Sequence, residues 1–374
     1  MPDHGVGHSY TKSDSCEGAV RYWDNLLPDT VRPAGQFSSI EYPADQIEVP
    51  SGLNAGLKAG STDAKVDSSK KTASSLFPAI ALPLVFAGFG LEQVNSNLHL
   101  AAAMAAGELG TVCSVPGKKL ELLGEAGKSA LAVIDPDEPA GLGECLNGSA
   151  GFEIIFDPNE TALRKRVLKI KETAGDWQPL MVRLPAMHEV AAAAEMAVRA
   201  GADAVLIDAY GDLNGSGALG SGCRSGLPIE VAVALVDERL QREGLRSKVV
   251  LIVSGGIRSG ADAAKAVMLG ADAVDIGPVA RIAVGCTLCG QCRSGQCAWG
   301  IATEDVRLSR RQHPELAAEK MIGLARAWLA DMKELIYRAG GDSIAGVRGN
   351  RRLLRALGLS ETEMDILGVS RVGE

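Results

Sequence analysis

The sequence predicts an α/β fold: a (β/α)8 barrel of the TIM type, followed by a cysteine-cluster loop and a helical C-terminal extension. Three observations predict it. From Leu82 onward, eight short apolar runs alternate with amphipathic or alanine-rich stretches, the order expected of parallel strands joined through helices. Glycine follows several of the helical stretches, at Gly107, Gly175, Gly201, Gly244 and Gly270, where a left-handed cap is cheapest. Glycine-rich segments also follow the last two runs, where barrels usually grip phosphate. A doubly wound open sheet fits the same periodicity and is the competing architecture.

Taken in chain order, residues 1–75 carry little periodicity. An aromatic and apolar beginning (Tyr22, Trp23, Leu26, Leu27) gives way to a Ser-, Gly-, Lys- and Asp-rich stretch over 51–75, which reads as an arm followed by a flexible linker. The expected strands are Leu82–Ala87, Thr111–Ser114, Ala130–Ile134, Phe152–Phe156, Leu180–Leu184, Ala204–Asp208, Val249–Ser254 and Ala273–Ile276. Between them the expected helices are Leu98–Gly107, Glu160–Thr173, Glu189–Ala200, Glu230–Glu243 and Ala261–Leu269. Asn159 and Pro228 are suitable helix starts. Residues 76–285 are thus the barrel, and 286–374 the cysteine loop and extension. In the extension, Met321, Leu324, Trp328, Met332 and Leu335 make one stripe of a helix over Glu315–Ala339, ended by Gly340-Gly341. A basic patch follows (Arg348, Arg351, Arg352, Arg355), read as a solvated face or a docking surface.

Composition narrows the function. With 46 acidic against 38 basic residues and a formal net charge of −8, the chain lacks the basic balance that duplex nucleic acid demands. The longest apolar run, Leu76–Leu91, is interrupted by Pro78 and Pro83 and falls short of the ~20 residues that span a bilayer. No signal-peptide pattern opens the chain. The expected location is the cytoplasm.

The most informative backbone motif is Ser254-Gly-Gly-Ile-Arg-Ser-Gly260, followed by Gly270-Ala-Asp-Ala-Val274 and then Ile276-Gly277. Glycines after a strand let the main chain approach an anion, and amides at the next helix start point towards it. The bland reading is tight turns alone. This stretch resembles the phosphate loops of flavin-dependent and nucleotide-binding barrels, which makes FMN the expected ligand. Its candidate binding residues are Ala87, Gly88, Arg183, Ser254, Gly255, Gly256, Arg258 and Gly277. Candidate catalytic residues are Arg183, at the end of the fifth run, Asp212, in the glycine-rich loop after the sixth, and His188. Arg183 reads either as a cation for the flavin or as an ion-pair partner at the barrel mouth. His188 reads equally as a hydrogen-bonded helix-start histidine, and the Gly211–Gly226 loop as a surface loop.

Of eight cysteines, four are scattered (Cys16, Cys113, Cys145, Cys223), while Cys286, Cys289, Cys292 and Cys297 fall together. Clustered cysteines in a long chain with no export signal read first as a metal or cluster site. The C-x2-C-x2-C-x4-C spacing is close to ferredoxin iron–sulfur runs. Zinc is the alternative, usually taken by C-x2-C pairs set further apart.

Together these motifs resemble the FMN-binding domain of glutamate synthase, in its short archaeal-type form. The resemblance runs from Leu82 to Val369 through the glycine motifs above, Gly285-Cys286, Cys292, Cys297, Gly300-Ile-Ala-Thr-Glu-Asp305, Asp342-Ser-Ile-Ala-Gly-Val-Arg-Gly-Asn350 and Ile366-Leu-Gly-Val369. It implies FMN and an iron–sulfur cluster that pass electrons to an imine of 2-oxoglutarate, making glutamate or, from methylamine, N-methylglutamate. Three cysteines matched by Cys286, Cys292 and Cys297 hold a 3Fe–4S cluster in that family. Cys289 is an additional ligand, so a 4Fe–4S cluster is expected here. The substrate-side motifs depart from the family pattern at Asp212-Leu-Asn-Gly-Ser-Gly217, at Asp157-Pro-Asn-Glu160 and at Ser114-Val-Pro-Gly-Lys118. The resemblance further implies electrons from ferredoxin or an NAD(P)H-oxidising partner. Because the chain begins Met1-Pro2, without an amino-terminal cysteine nucleophile, and shows no β-helical domain, ammonia or another amine is expected from solution or from partner subunits, with amidotransferase and β-helical subunits as the candidates. Other readings are an electron-transfer module of a larger complex, or a hydroxy-acid dehydrogenase on the same barrel.

Overall fold

The computed structural model describes residues 31–33, 82–89, 94–134, 148–174, 178–209, 226–287, 289 and 291–373. Eight parallel strands form its centre: β1 (Leu84–Val85), β2 (Cys113–Pro116), β3 (Ala130–Ile134), β4 (Gly151–Ile155), β5 (Leu180–Pro185), β6 (Ala204–Asp208), β7 (Val250–Ser254) and β8 (Ala273–Asp275). From β2 to β8 each strand pairs with the next in sequence, and β1 pairs with β8. The remaining gap is closed by a parallel bridge between Phe86 and Cys113. There the Phe86 amide donates to the Val112 carbonyl (3.0 Å) and the Ser114 amide to the Phe86 carbonyl (3.2 Å). The ring is therefore a barrel, and the open doubly wound sheet is set aside. The first strand is shorter than the run Leu82–Ala87 that predicted it, because pairing on both sides is confined to its centre.

The helices on the described outer layer are α1 (Ser96–Leu109), α2 (Glu160–Ala174), α3 (Val190–Ala200), α4 (Ile229–Arg242), α5 (Gly260–Leu269) and α6 (Gly277–Ala283). The first five lie within one or two residues of the predicted stretches, as helix ends normally do, whereas α6 has no counterpart among them. Gly107 is a correction: α1 continues through it to Leu109, and Gly110 takes the left-handed cap. The alanines at 101–103, 105 and 106 are all buried, so packing carries the helix past a glycine that propensity alone reads as a stop. Gly175 lies outside the described residues.

Strand alternation sorts the barrel interior from its shell. Val85, Ala87, Val112, Leu131, Met181, Ala204, Leu206, Ile252 and Ala273 make an apolar cluster of their own inside the ring. Their odd neighbours, such as Phe152, Val182, Val205 and Val253, belong to the large core between strands and helices. Two residues beyond an inward apolar residue, towards the carboxyl end of a strand, the side chain again points inward. In this chain those positions are Ser114, Arg183, Asp208, Ser254 and Asp275. The fold thus places a polar layer above an apolar plug.

The extension begins with α7 (Val306–Ser309) and the long α8 (Pro314–Arg338), which packs on α1 and α5. Its buried stripe is centred on Met321, Ala325, Trp328, Leu329, Met332 and Ile336, whereas Leu324 and Leu335 are only half-buried. A further helix, α9 (Ile344–Val347), a strand at Leu354–Ala356 and α10 (Glu361–Leu367) follow. Leu354–Ala356 pairs antiparallel with Val31–Pro33 and parallel with Ser370–Arg371. Of the two readings of the basic patch, Arg348 and Arg351 follow the docking surface. Arg348 pairs with Asp272, and Arg351 with Asp237 (3.3 Å) and the Ala234 carbonyl (3.0 Å). Arg246 bridges the same two acids at 2.7 and 2.8 Å. These arginines dock the extension onto the barrel. Among the described residues no helix is long and apolar enough to cross a membrane.

Candidate functional site

The polar layer at the carboxyl ends of the strands centres on Arg183. Its Nε donates to Glu153 Oε1 (2.5 Å), Nη1 to Asp208 Oδ2 (2.9 Å) and Nη2 to the Ala87 carbonyl (2.9 Å). One planar guanidinium thereby ties β5 to β4, β6 and Ala87 just beyond β1. Burial by itself lowers the Arg183 pKa, but the nearby carboxylates of Glu153, Asp208 and Asp275 outweigh it and raise the value, so the side chain stays cationic. The ion-pair reading of Arg183 is therefore realised. Ser114 donates to the second Glu153 oxygen in a short hydrogen bond.

Asp275 organises the opposite side of the rim. Its Oδ1 accepts from the Gly277 amide (2.8 Å) and the Gly88 amide (3.1 Å), and its Oδ2 from the Ser254 hydroxyl (2.7 Å). Burial pushes the Asp275 carboxyl above its usual range, against these three donors and Arg183, which pull it down. Gly88 and Gly277 touch: a Cβ on Gly277 would lie 2.5 Å from the Gly88 nitrogen. Expanding this contact separates β1 from α6, so Gly277→Ala should lower the unfolding free energy by about 1–3 kcal/mol, as overpacking does. Urea unfolding checks this. A Gly277→Ala protein as stable as the parent contradicts the close approach.

Five of the eight proposed cofactor residues are joined in this hydrogen-bonded rim: Ala87, Gly88, Arg183, Ser254 and Gly277. Gly255 and Gly256 follow β7 with φ of 102° and 69°, left-handed conformations that strain side-chain-bearing residues. Gly255 lies against Ala209 at the end of β6. The α5 start beyond them is capped by Ser259, whose side chain accepts from the Asp262 amide. Arg258 is exposed at the mouth, and His188 is exposed on the turn before α3. Asp212 and most of its glycine-rich loop lie outside the described residues. The residues that sequence reasoning missed are Ser114, Glu153, Asp208 and Asp275. Each is a polar residue inside or ending an apolar run, and in a buried parallel strand that is itself a signal.

The cysteine loop follows α6. Cys292 and Cys297 are buried, Cys286 is half-buried and Cys289 is exposed; all four are thiols, as is the buried Cys113. Burial pushes the Cys292 thiol up. Arg281 opposes the shift, and Cys286, Cys297 and Cys289 add to it. Among the described residues, no three Cys, His, Asp or Glu side chains are drawn together as metal ligands. The loop is clamped from outside. The Asn95 amide and side chain donate to the Ile301 and Gly300 carbonyls (2.9 and 2.8 Å), and Gln312 Nε2 to the Trp299 carbonyl (2.7 Å).

Known proteins match this arrangement in sequence and in fold. Residues 154–342 match the conserved region in glutamate synthase. An archaeal-type glutamate synthase (NADPH) of Dehalococcoides mccartyi is 31% identical, over 94% of this chain and 78% of that protein. The corresponding Thermotoga maritima protein is 46% identical over 57% of this chain, but the match spans only 42% of the relative's length. Among solved structures, a mandelate oxidase variant with an FMN adduct superposes with a TM-score of 0.51 at 18% identity, over 72% of this chain and 78% of that one. That likeness shows the barrel fold. The sequence matches show more: the chain belongs to the glutamate synthase family.

Proposed function

We propose that this chain is a glutamate synthase-like oxidoreductase subunit that binds FMN at the barrel rim and an iron–sulfur cluster on Cys286, Cys289, Cys292 and Cys297. The reading extends to the substrate: an imine formed from 2-oxoglutarate and an amine. The observation that carries it is the Arg183 cation, its side chain 11% exposed, held by the buried Glu153 and Asp208 beside a glycine contact that no side chain can fill.

FMN, when bound, supplies hydride chemistry, and a cluster supplies electrons one at a time. The chain's own residues do the rest. Ala87, Gly88, Ser254, Gly255, Gly256 and Gly277 would hold the cofactor at a rim whose backbone Asp275 fixes, with Arg258 at the exposed mouth. Arg183 keeps a positive charge in a water-poor layer, which favours electron-rich groups bound there. Held on three sides, it cannot swing away as the charge of a bound group changes. The apolar plug beneath closes the barrel to water. Asp212 and His188 are the remaining candidates for contact with substrate. The donor set of the cysteine loop fits an iron–sulfur centre, since four thiols share one clamped loop. On this reading residues 76–285 carry the flavin, 286–374 the cluster loop and its helical support, and 1–75 an arm. A reducing cytoplasm suits the thiols. Ferredoxin or an NAD(P)H-oxidising protein would deliver electrons, and amidotransferase and β-helical subunits are candidate partners.

Flavin and iron analysis of anaerobically purified protein should find both groups, with EPR and Mössbauer spectra of a four-iron centre. A three-iron centre alone would exclude Cys289 as a ligand. Reduced protein should then be reoxidised by 2-oxoglutarate only when ammonia, glutamine or methylamine is present. Electron exchange with ferredoxin but with none of these mixtures would leave an electron-transfer module instead.

A further inference from the structure

α6 connects the two proposed redox sites directly. It starts at Gly277, whose amide is bound by Asp275 at the rim, and its last turn turns into the cysteine loop. The Cys286 amide donates to the Arg281 carbonyl at 2.9 Å. At 1.5 Å of rise per residue, Arg281 stands about 6 Å along the axis from Gly277. The residue is only 6% exposed, and among the described residues its Nε has no hydrogen-bond partner. Among the described residues, no carboxylate forms a salt bridge with it, unlike Arg183 or Arg246. A buried guanidinium without an acid is costly. Its electrostatic effect reaches Cys292, which is also buried.

We propose that Arg281 is a positioning residue for electrons: a fixed buried cation between flavin rim and cysteine loop that raises the reduction potential of the cluster. This rests on the iron–sulfur reading above. Four thiolates around an iron–sulfur core give a centre of net negative charge, and its potential depends on the charges around it. In the step concerned, the cluster accepts one electron from a one-electron reductant. No bond forms or breaks and no proton moves. The cluster becomes one charge more negative, and the guanidinium, charged before and after, favours that product. Its position on α6 makes the effect larger on the cluster than on the flavin. Electrons are thereby held at the cluster until the flavin can take them.

The test is a dithionite titration of the holoprotein with mediators, followed by EPR for the cluster and absorbance for the flavin, in R281Q, R281K and the parent. R281Q should weaken electron uptake by the cluster by about tenfold or more, equivalent to about 59 mV for one electron, with a smaller change at the flavin. R281K, which keeps the charge, should stay close to the parent. A cluster potential in R281Q that matches the parent overturns the proposal, as does an equal fall in R281K. If R281Q takes up no iron, R281K decides alone: a retained potential supports the role and an approximately tenfold loss overturns it. A parent protein that takes up no iron and sulfide removes the cluster reading itself, and this role with it. A normal cluster with an unmoved potential removes only the role of Arg281.

Discussion

Arg183→Met should be the most damaging single change at the rim, costing about 3–5 kcal/mol of unfolding free energy, the range for breaking a buried pair from one side. The substitution leaves Glu153, 1% exposed, and Asp208, 6% exposed, as neighbouring buried carboxylates without their cation. It also frees the Ala87 carbonyl. Arg183→Lys should lose less, but still measurably. An ammonium keeps the charge, yet it cannot present three donors to Glu153, Asp208 and Ala87 in one plane. The decisive comparison is a triple variant, Arg183→Met with Glu153→Gln and Asp208→Asn. It removes the charges together and should recover more than half of the loss. Urea unfolding of the four proteins measures this. If Arg183→Met alone unfolds at the parent's midpoint, the buried pairing is wrong. Flavin content, read on the same samples, should fall in every variant lacking the cation, including the stable triple variant.

This network shows where sequence reasoning reaches and where it stops. The barrel was legible because its signal is local and repeated: eight apolar runs, with helical stretches and glycines recurring between them. The glycine rim after β7 and the cysteine spacing were legible for the same reason, since each is a short motif whose residues lie close in sequence. The carboxylates were not. Glu153, Asp208 and Asp275 each occupy one position within or at the end of an otherwise apolar strand, and nothing local says which cation they meet. Strand pairing sets β4 and β6 on either side of Arg183, and ring closure brings β8 and Ala87 round to it. The clamp on the cysteine loop was hidden similarly, because Asn95 opens α1 and meets Gly300 and Ile301 across the fold. The stripe of α8 was misplaced by a fraction of a turn. Hydrophobicity favoured Leu324 and Leu335, whereas the close packing on α1 and α5 buries the smaller Ala325 together with Leu329 and Ile336. In each case the missing information is a distant contact.

Glu230→Gln should have the opposite sign from a typical core substitution and stabilise the protein in alkaline solution. Glu230 lies in the first turn of α4, 7% exposed, and among the described residues its Oε2 has no hydrogen-bond partner. Burial pushes its pKa from the ordinary 4.5 up to about 8, with Asp262 adding to the shift and Lys265 and Arg258 opposing it. The consequence follows from proton linkage. Below pH 4.5 the carboxyl is protonated in both the folded and unfolded chain, and it contributes no pH dependence. Between pH 4.5 and 8 the unfolded chain releases the proton while the folded chain keeps it, so stability falls as pH rises. Above pH 8 the loss is complete and constant. Each pKa unit is worth about 1.4 kcal/mol, and allowing for relaxation around the ionised group, the expected total is about 2–4 kcal/mol. A glutamine carries no such charge. Glu230→Gln should therefore match the parent at pH 5 and exceed it by about that amount at pH 9, with a flatter stability profile between. Removing the opposing cation with Lys265→Met should move the Glu230 transition to still higher pH. Urea unfolding at several pH values reads both effects, and identical profiles for the parent and Glu230→Gln would show that the carboxyl is ionised and solvated in the folded state.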